Sequence, residues 1–344
     1  MTGNQIEHND LSAIGLSEHL PLFLNMQIAK NNRSLYDTIQ IIKQFVISSS
    51  SPRIQREGME FLYWNGFYEE LRTLVDQHSR LLDETSAEWA NMYKWMYLRK
   101  KRKINARELI DCMNDLGPSD PALQALKLFM LIYSYYDLRE YGKLGVYLDT
   151  LEAWIDQVES PLLRDYLTMR QYEVLFHYHW KKNEVIMARM YAYKVVNNSY
   201  NQERKAMLHS HLAQTFIFES YDKAMGHIQE SLLLSSVYGY KIIYDQVANH
   251  TIPFISAHFG KYEEIETTDL SEQAHLEIAR GNRKRAIELL ENLDHFTPFR
   301  TYYYGLAKKD TGILQKAYDG FVNEYKDYFF ARLPLKAIEQ LPYL

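Results

Sequence analysis

The stretch from Gln214 to Ala224 constrains the fold most, because it has the pattern of a joint between two helices. Apolar residues repeat at helical spacing up to Phe218, a turn is expected at Glu219–Tyr221, and a second helix is expected to reach about Ser235. Ala224 is small enough to let the paired helices approach closely. Such a hairpin cannot bury its apolar face alone and must stack on neighbouring hairpins.

Similar joints recur along the chain. Leu144, Ala188, Ala224 and Ala286 occupy equivalent places after their turns, at intervals of about 44, 36 and 62 residues, the last long enough for two short repeats. Tetratricopeptide repeats are about 34 residues long. We therefore predict an all-α fold, a right-handed tetratricopeptide-like helical-repeat solenoid with a short N-terminal helical segment.

Capping residues and prolines set the expected helix boundaries. Ser34 with Asp37 forms a capping-box-like start, and Pro253 is expected to kink or split a helix over 239–258. A short helix is predicted over about Leu11–Leu20, before Pro21. The predicted domains are the N-terminal segment 1–33, the repeat solenoid 34–300 and the C-terminal helices 301–344.

Composition excludes several classes of protein. The net charge of −5 gives no overall attraction to polyanions, and the single Cys112 excludes an intramolecular disulfide or a multi-cysteine zinc site. No run approaches the roughly 18 apolar residues of a membrane-spanning helix, and the polar N-terminus lacks a signal-peptide pattern. We predict a cytoplasmic protein without membrane contact.

No catalytic constellation is present. The chain has no P-loop, no glycine-rich dinucleotide turn, no G-x-S-x-G and no H-E-x-x-H, so neither an enzyme nor a cofactor is predicted. The histidine pairs His177/His179 and His209/His211 cannot each chelate a metal, since residues two apart point to different helix faces. If the repeats stack, His177 and His209 are expected to face one concave surface, as polar lining rather than as metal ligands.

The run Arg99, Lys100, Lys101, Arg102, Lys103 has two interpretations. Cations are favoured at a helix C-terminus, so the run can be a solvated helix end. Five consecutive cations exceed what capping needs, so the run is also a candidate for phosphate contacts with DNA.

Four segments resemble the arbitrium peptide receptors of Bacillus phages, which are tetratricopeptide-type regulators that read short secreted peptides. Thr85–Trp89 followed by Tyr93 resembles their S-x-E-W-x-x-x-Y segment, and Thr215–Ala224 resembles their T-x-I-F-x-D-Y-D-x-A joint. Tyr303–Ala307 and Phe329–Leu335 resemble their C-terminal repeat and dimer-forming end. Order and spacing agree over about residues 34 to 335.

The resemblance implies a cytoplasmic homodimer in the host bacterium that binds a phage-encoded hexapeptide and DNA and decides between lysis and lysogeny. The family begins with a complete helix-turn-helix domain, whereas only about 33 residues precede Ser34 here, so a shortened or degenerate version is expected. If Gly15 were its turn glycine, Pro21 would fall inside the recognition helix and damage it.

The resemblance also implies functional residues. Family members hold the peptide with Asn and Arg side chains on concave helices. At the positions that align, this chain has His177, Gln214 and, after a one-residue shift, Arg204; the predicted peptide site also includes Tyr178 and His211. The predicted dimerisation residues are Phe329, Phe330, Arg332, Leu333 and Leu335.

Three hypotheses result. The first is a peptide-responsive regulator with its ligand or partner in the solenoid groove. The second, favoured by the short N-terminus, is an adaptor without DNA contact that sequesters a protein partner, either a related receptor or a host regulator. A third, phosphatase-like hypothesis has no supporting residue set.

Overall fold

A computed structural model of the chain describes residues 14–79 and 84–341. All regular secondary structure in these ranges is helical, which confirms the all-α prediction. The chain divides into two compact units. Unit 1 covers the described residues up to Leu138 together with Lys143–Gln171, and unit 2 covers Arg139–Gly142 and the described residues from Tyr172 onward. The predicted domain boundaries after residues 33 and 300 fall inside these units, and they stay predictions.

The helices of the first part of the chain, up to the one that crosses the unit boundary, are α1 (Leu22–Lys30), α2 (Leu35–Ser48), α3 (Pro52–Asn65), α4 (Tyr68–His78), α5 (Glu84–Lys100), α6 (Ala106–Asp115), α7 (Pro121–Asp137), α8 (Leu148–Asp156) and α9 (Pro161–Lys181). A 3₁₀ segment, Tyr141–Tyr147, precedes α8. The remaining helices are α10 (Val185–Asn198), α11 (Gln202–Thr215), α12 (Tyr221–Tyr238), α13 (Lys241–Gln246), α14 (Ile252–His258), α15 (Leu270–Ala279), α16 (Arg283–Glu291), α17 (Pro298–Lys308), α18 (Thr311–Asp319) and α19 (Arg332–Gln340).

Most consecutive helices pack against each other within each unit, as hairpin stacking requires. The small residues of the predicted joints lie in these contacts, and Ala188, Ala224 and Ala286 are completely buried. Leu144 is buried too, although it lies in the 3₁₀ segment rather than in an α-helix.

Helix α11 ends earlier than predicted, so the turn before α12 is longer on its N-terminal side. Helix α11 ends at Thr215, and the turn begins at Phe216. Phe216 is buried, so its apolar side chain gives the same sequence signal as a residue of a continuing helix. Ser220 caps α12 by accepting a hydrogen bond from the Lys223 amide at 3.3 Å. Arg189 of α10 fixes the turn, donating from Nε to the Thr215 hydroxyl at 2.9 Å.

Local signals placed most helix starts correctly. Ser34 accepts from the Asp37 amide and Ser51 from the Ile54 amide, as expected of N-caps. Pro253 splits its helix as predicted: α13 ends at Gln246, a π turn spans Val247–Thr251, and α14 begins at Ile252. Proline has no amide hydrogen to continue the preceding hydrogen-bond ladder.

The predicted helix over Leu11–Leu20 is wrong in its described part. Residues 14–20 form turns, and Leu11–Ala13 lie outside the described residues. Gly15 has φ +90°, a left-handed conformation that interrupts a right-handed helix, and Leu20 precedes a proline, which disfavours helical backbone. Helix α1 begins directly after Pro21.

Unit 1 contains a buried ionic network. Arg170 donates from Nε to Glu60 Oε1 at 2.7 Å and from Nη2 to Glu60 Oε2 at 3.0 Å, and both side chains are at most 1% exposed. Tyr93 donates its hydroxyl hydrogen to Glu60 Oε2 at 2.6 Å. This bidentate pair links α9 to α3.

Unit 2 contains a buried ionisable cluster between α15 and α17. The Tyr303 hydroxyl donates to both carboxylate oxygens of Glu272, at 3.1 and 3.2 Å, and its ring stacks on His275 at 4.2 Å. Burial raises the pKa of Glu272 to about 8 and lowers the pKa of His275 to about 3.

Helices α17 and α18 approach closely at Gly305. A β-carbon there would lie 2.8 Å from Leu314 Cγ and 3.1 Å from its backbone nitrogen. Glycine is therefore required for the packing of this hairpin rather than for its backbone angles.

Candidate functional site

The predicted peptide-site residues lie on α9 and α11 in unit 2. Asn201 is the N-cap of helix α11, and its side chain accepts a hydrogen bond from the Arg204 amide at 3.1 Å. This cap fixes Arg204 in the first turn of α11. Gln214 lies near the other end of the same helix.

Arg204 forms a buried ion pair with Glu173 of α9, through a hydrogen bond from Arg204 Nη1 to Glu173 Oε2. The two side chains are 10% and 9% exposed. Sequence reasoning missed Glu173. The one available signal was its spacing, four residues before His177, which places both on one face of α9.

His177 contacts His211, with ring centroids 5.1 Å apart and an edge-to-face orientation. Burial holds the pKa of His177 well below its ordinary value and lowers the pKa of His211 to about 4, so both rings are neutral at pH 7. Within the described residues, the buried Nδ1 of His211 has no hydrogen-bond partner. A buried polar atom in this state is costly unless water or a ligand satisfies it.

Gln214 makes a weak hydrogen bond within α11, and Tyr178 contacts residues near the end of α9. Gln214 Nε2 lies 3.5 Å from the Ser210 carbonyl oxygen, at the weak limit of hydrogen bonding, so its amide can be redirected. Tyr178 contacts His179, with ring centroids 5.3 Å apart, and carries the Lys182 ammonium over its ring at 4.8 Å. We call Glu173, His177, Arg204, His211 and Gln214 the α9–α11 site.

The sequence predicts that His177 and His209 face one concave surface, but the structure places His211 rather than His209 against His177. His209 faces α12, where its Nδ1 lies 2.9 Å from His227 Nδ1. His209 and His211 are two residues apart on α11, so they point to different neighbouring helices. Across the described residues, no group of three or more His, Cys, Asp or Glu side chains is placed to hold a metal ion.

The C-terminal segment packs against the end of α9. Lys181 donates from Nζ to Asp327 Oδ2 at 2.8 Å, and the Tyr328 amide donates to the Lys181 carbonyl at 2.8 Å. The Phe329 and Phe330 rings lie 6.0 and 5.7 Å from the Trp180 ring. Trp180 in turn contacts His211 at 5.9 Å, so this segment borders the α9–α11 site.

The predicted dimerisation residues fall into two groups. Phe329, Phe330 and Leu333 are at most 2% exposed within the chain. Arg332 stacks over the Phe218 ring at 4.1 Å, whereas Leu335 is 43% exposed. Dimerisation itself stays a prediction.

The cationic run at the end of α5 is partly neutralised within unit 1. Arg99 donates to both carboxylate oxygens of Asp137 at 3.0 and 3.1 Å, and Lys101 donates to Glu69 at 3.1 Å. Lys100 lies over the Tyr68 ring, 5.1 Å from its centroid.

The side chains of Arg102 and Lys103 are exposed beyond the end of α5, and Arg102 has φ +53°. These two residues are therefore accessible cations of the run.

No helix within residues 14–79 and 84–341 has the length and apolar character needed to cross a membrane.

The stacked helix pairs define an all-α helical-repeat protein with a half-buried, net-neutral set of polar side chains between α9 and α11. A family model described as AimR transcriptional regulator-like matches residues 38–340, and the chain belongs to this family.

Two relatives and two solved structures are similar to the chain. The AimR transcriptional regulator of Bacillus phage phi3T is 23% identical over 274 residues, which cover 75% of this chain and 70% of that protein. An uncharacterised Bacillus anthracis protein is 24% identical over 254 residues, 71% of this chain and 89% of its own.

A solved structure of phAimR with ligand matches with a TM-score of 0.76 at 19% identity, covering 92% of this chain and 96% of that one. A selenomethionine phAimR structure matches with a TM-score of 0.64 at 18% identity, covering 92% and 84%. These structural matches confirm the helical-repeat fold.

Proposed function

We propose that this protein is a peptide-responsive gene regulator that binds a short peptide at the α9–α11 site. The observation that carries the proposal is the buried Arg204–Glu173 pair beside the neutral His177–His211 contact. Short peptides offer a terminal carboxylate and backbone amides, which match a guanidinium and neutral hydrogen-bonding side chains. Family membership supports the regulatory part of the proposal.

Each side chain has a distinct role in the proposal. Arg204 pairs with a peptide carboxylate, and the Gln214 amide both donates to and accepts from the peptide backbone. The Nδ1 atom of His211, which lacks a partner within the described residues, exchanges its unsatisfied state for a hydrogen bond to the peptide. No proton transfer or bond cleavage is required, so the protein acts without catalysis.

The regulatory output that we propose is control of phage lysis and lysogeny through DNA binding in the bacterial cytoplasm. The test is to incubate the purified protein with sheared DNA from its genetic neighbourhood at physiological salt, and to sequence the retained fragments. One sharply enriched site supports a transcription regulator. No enrichment from a protein with intact helical structure would contradict DNA binding.

The peptide site is tested by substitution. Pools of synthetic hexapeptides are captured by the immobilised protein and identified by mass spectrometry. Arg204→Ala and Gln214→Ala should each lose captured peptides, whereas Arg285→Ala, which changes an exposed arginine of α16, should not. Unchanged capture by both site variants would place peptide binding elsewhere.

We also infer a homodimer formed through the C-terminal segment, with the exposed Leu335 at its contact surface. Leu335→Asp should then shift the mass measured by light scattering from two chains to one. A wild-type protein with the mass of one chain at micromolar concentration would refute the dimer.

A second candidate function, a protein-sequestering adaptor, is favoured by an exposed apolar surface in unit 2. Leu233 and Val237 of α12 are 57% and 66% exposed, and Ile242 of α13 is 64% exposed. Exposed apolar surface of this kind is frequent where proteins bind each other. Co-purification of a stoichiometric partner that is lost in Val237→Asp, without retained DNA, would favour the adaptor.

A further inference from the structure

We infer that Glu173 sets the ligand specificity of the α9–α11 site, because it occupies Arg204 and competes with the carboxylate of an incoming ligand. This inference rests on the proposed function, since it concerns the same site. It assigns a role to a residue that the sequence did not single out.

The position of Arg204 explains why it needs a carboxylate. Arg204 is the third residue of α11, after the Asn201 cap, and a cation in the first turn of a helix is disfavoured by the helix dipole. Its side chain is also 10% exposed, so water solvates the guanidinium poorly. Both effects are relieved by an anion, and Glu173 supplies one from α9.

The other side chains of the site supply no competing charge. His177 and His211 are neutral at pH 7 because burial lowers the pKa of each, and Gln214 is uncharged. The formal charges of the α9–α11 site therefore belong to Glu173 and Arg204, and they cancel. Lys181, whose charge acts on both histidines, is paired with Asp327 at 2.8 Å.

Binding a ligand carboxylate at the Glu173–Arg204 pair costs free energy in either of two ways. If it takes Arg204 from Glu173, a buried carboxylate loses its partner; if it shares Arg204, two like charges lie side by side. Wild-type protein should therefore discriminate against ligands whose only strong contact is a carboxylate. It should accept a carboxylate when the same ligand also brings a hydrogen-bond donor to Glu173.

Glu173→Gln removes the competing charge but keeps a carbonyl oxygen that can accept from Arg204 Nη1. Arg204 then lacks the Glu173 carboxylate, and the carboxylate of a ligand can take its place. The variant should bind free-acid peptides about tenfold or more tighter than wild type does, while the affinity for the same peptides as C-terminal amides changes little.

The experiment uses matched pools of synthetic hexapeptides, one with free C-termini and one amidated, captured by the full-length protein and counted by mass spectrometry. The ratio of free-acid to amidated peptides is measured for wild type and Glu173→Gln. Glu219→Gln is the matched control, because it removes the carboxylate of another ion pair of unit 2, that with Arg189. Circular dichroism checks that each variant is folded.

The expected result is a ratio that rises about tenfold in Glu173→Gln and stays unchanged in Glu219→Gln. In the double variant Glu173→Gln/Arg204→Gln, which has no buried charge at this position, the ratio should fall back to or below the wild-type value. If Glu173→Gln does not fold, a double variant whose ratio exceeds the wild-type value would contradict the inference, because the gain is attributed to Arg204.

Two results would overturn the inference in distinguishable ways. Peptides captured by wild type with the same ratio in Glu173→Gln would leave the proposed function intact and make the pair purely structural. No capture of either pool by wild type or any variant would instead reject the proposed function, and the inference with it.

Discussion

Breaking the buried ion pair of unit 1 should destabilise that unit strongly. In Arg170→Leu, the Glu60 carboxylate, which is 0% exposed, keeps only the Tyr93 hydroxyl as a hydrogen-bond partner among the described residues. Removing one partner of a buried ion pair costs about 3–5 kcal/mol, and most of this loss reflects the charge left behind. Glu60→Gln should cost a similar amount, because it leaves the buried Arg170 guanidinium uncompensated while its amide oxygen can still accept from Tyr93.

The two losses should not add. The double variant Glu60→Gln/Arg170→Leu contains no buried charge at this place, so its loss should fall short of the sum of the single losses by about 2–3 kcal/mol. Four of the five tryptophans, Trp64, Trp89, Trp95 and Trp154, belong to unit 1. Urea unfolding followed by tryptophan fluorescence therefore reports mainly on this unit.

An exposed ion pair provides the control for this prediction. Arg285→Leu removes a salt bridge whose side chains are both 62% exposed, so it should change stability by less than about 0.5 kcal/mol. Single losses that sum to the double loss within about 0.5 kcal/mol would show that Glu60 and Arg170 are not energetically coupled.

Three further predictions test other parts of the chain. Gly305→Ala should destabilise unit 2 by about 1–3 kcal/mol in thermal melts, because its β-carbon overlaps α18, whereas Gly226→Ala, which meets nothing within 4 Å inside α12, should stabilise by about 0.5–1 kcal/mol. Between pH 4.5 and 8 the Glu272 carboxyl is protonated in the folded protein and ionised in the unfolded protein. Its contribution to the free energy of unfolding therefore falls as pH rises, by up to about 1.4 kcal/mol per pH unit. The contribution of His275, which is neutral in the folded protein, rises with pH up to about 6.5, where the histidine of the unfolded chain loses its proton. The free energy of unfolding should therefore decline from about pH 6.5 to 8, and Glu272→Gln should abolish that decline. If DNA is bound, Gln substitutions at Arg102–Lys103 should reduce the slope of log affinity against log salt by about 2.

Each of these has a contrary outcome. Equal melting temperatures for the two glycine variants would mean that the α17–α18 contact relaxes freely. Stability that rises steadily to pH 8 would contradict the buried, protonated glutamate. An unchanged salt slope would remove the exposed end of the cationic run from any DNA interface.

The sequence alone determined the helical joints, because their signals act over a few residues. Ser34, Ser51 and Asp120 each accept a hydrogen bond from an amide two or three positions later, so the cap can be recognised without tertiary information. Pro253 splits its helix by chemistry of its own backbone. Buried Ala188, Ala224 and Ala286 follow from the need of paired helices to approach closely.

The tertiary structure decided which side chains meet across helices. Glu173 and Arg204 are 31 residues apart, and His211 rather than His209 faces His177 because of the rotation of α11 against α9. A change of one position around a helix moves a side chain by about 100°, so periodicity alone cannot choose between neighbouring candidates. The burial of Phe329 and Phe330 against Trp180 likewise depends on how the C-terminal segment folds back onto α9. Local hydrogen bonds form between residues that are close in the sequence, whereas contacts between helices depend on the packing of the whole unit.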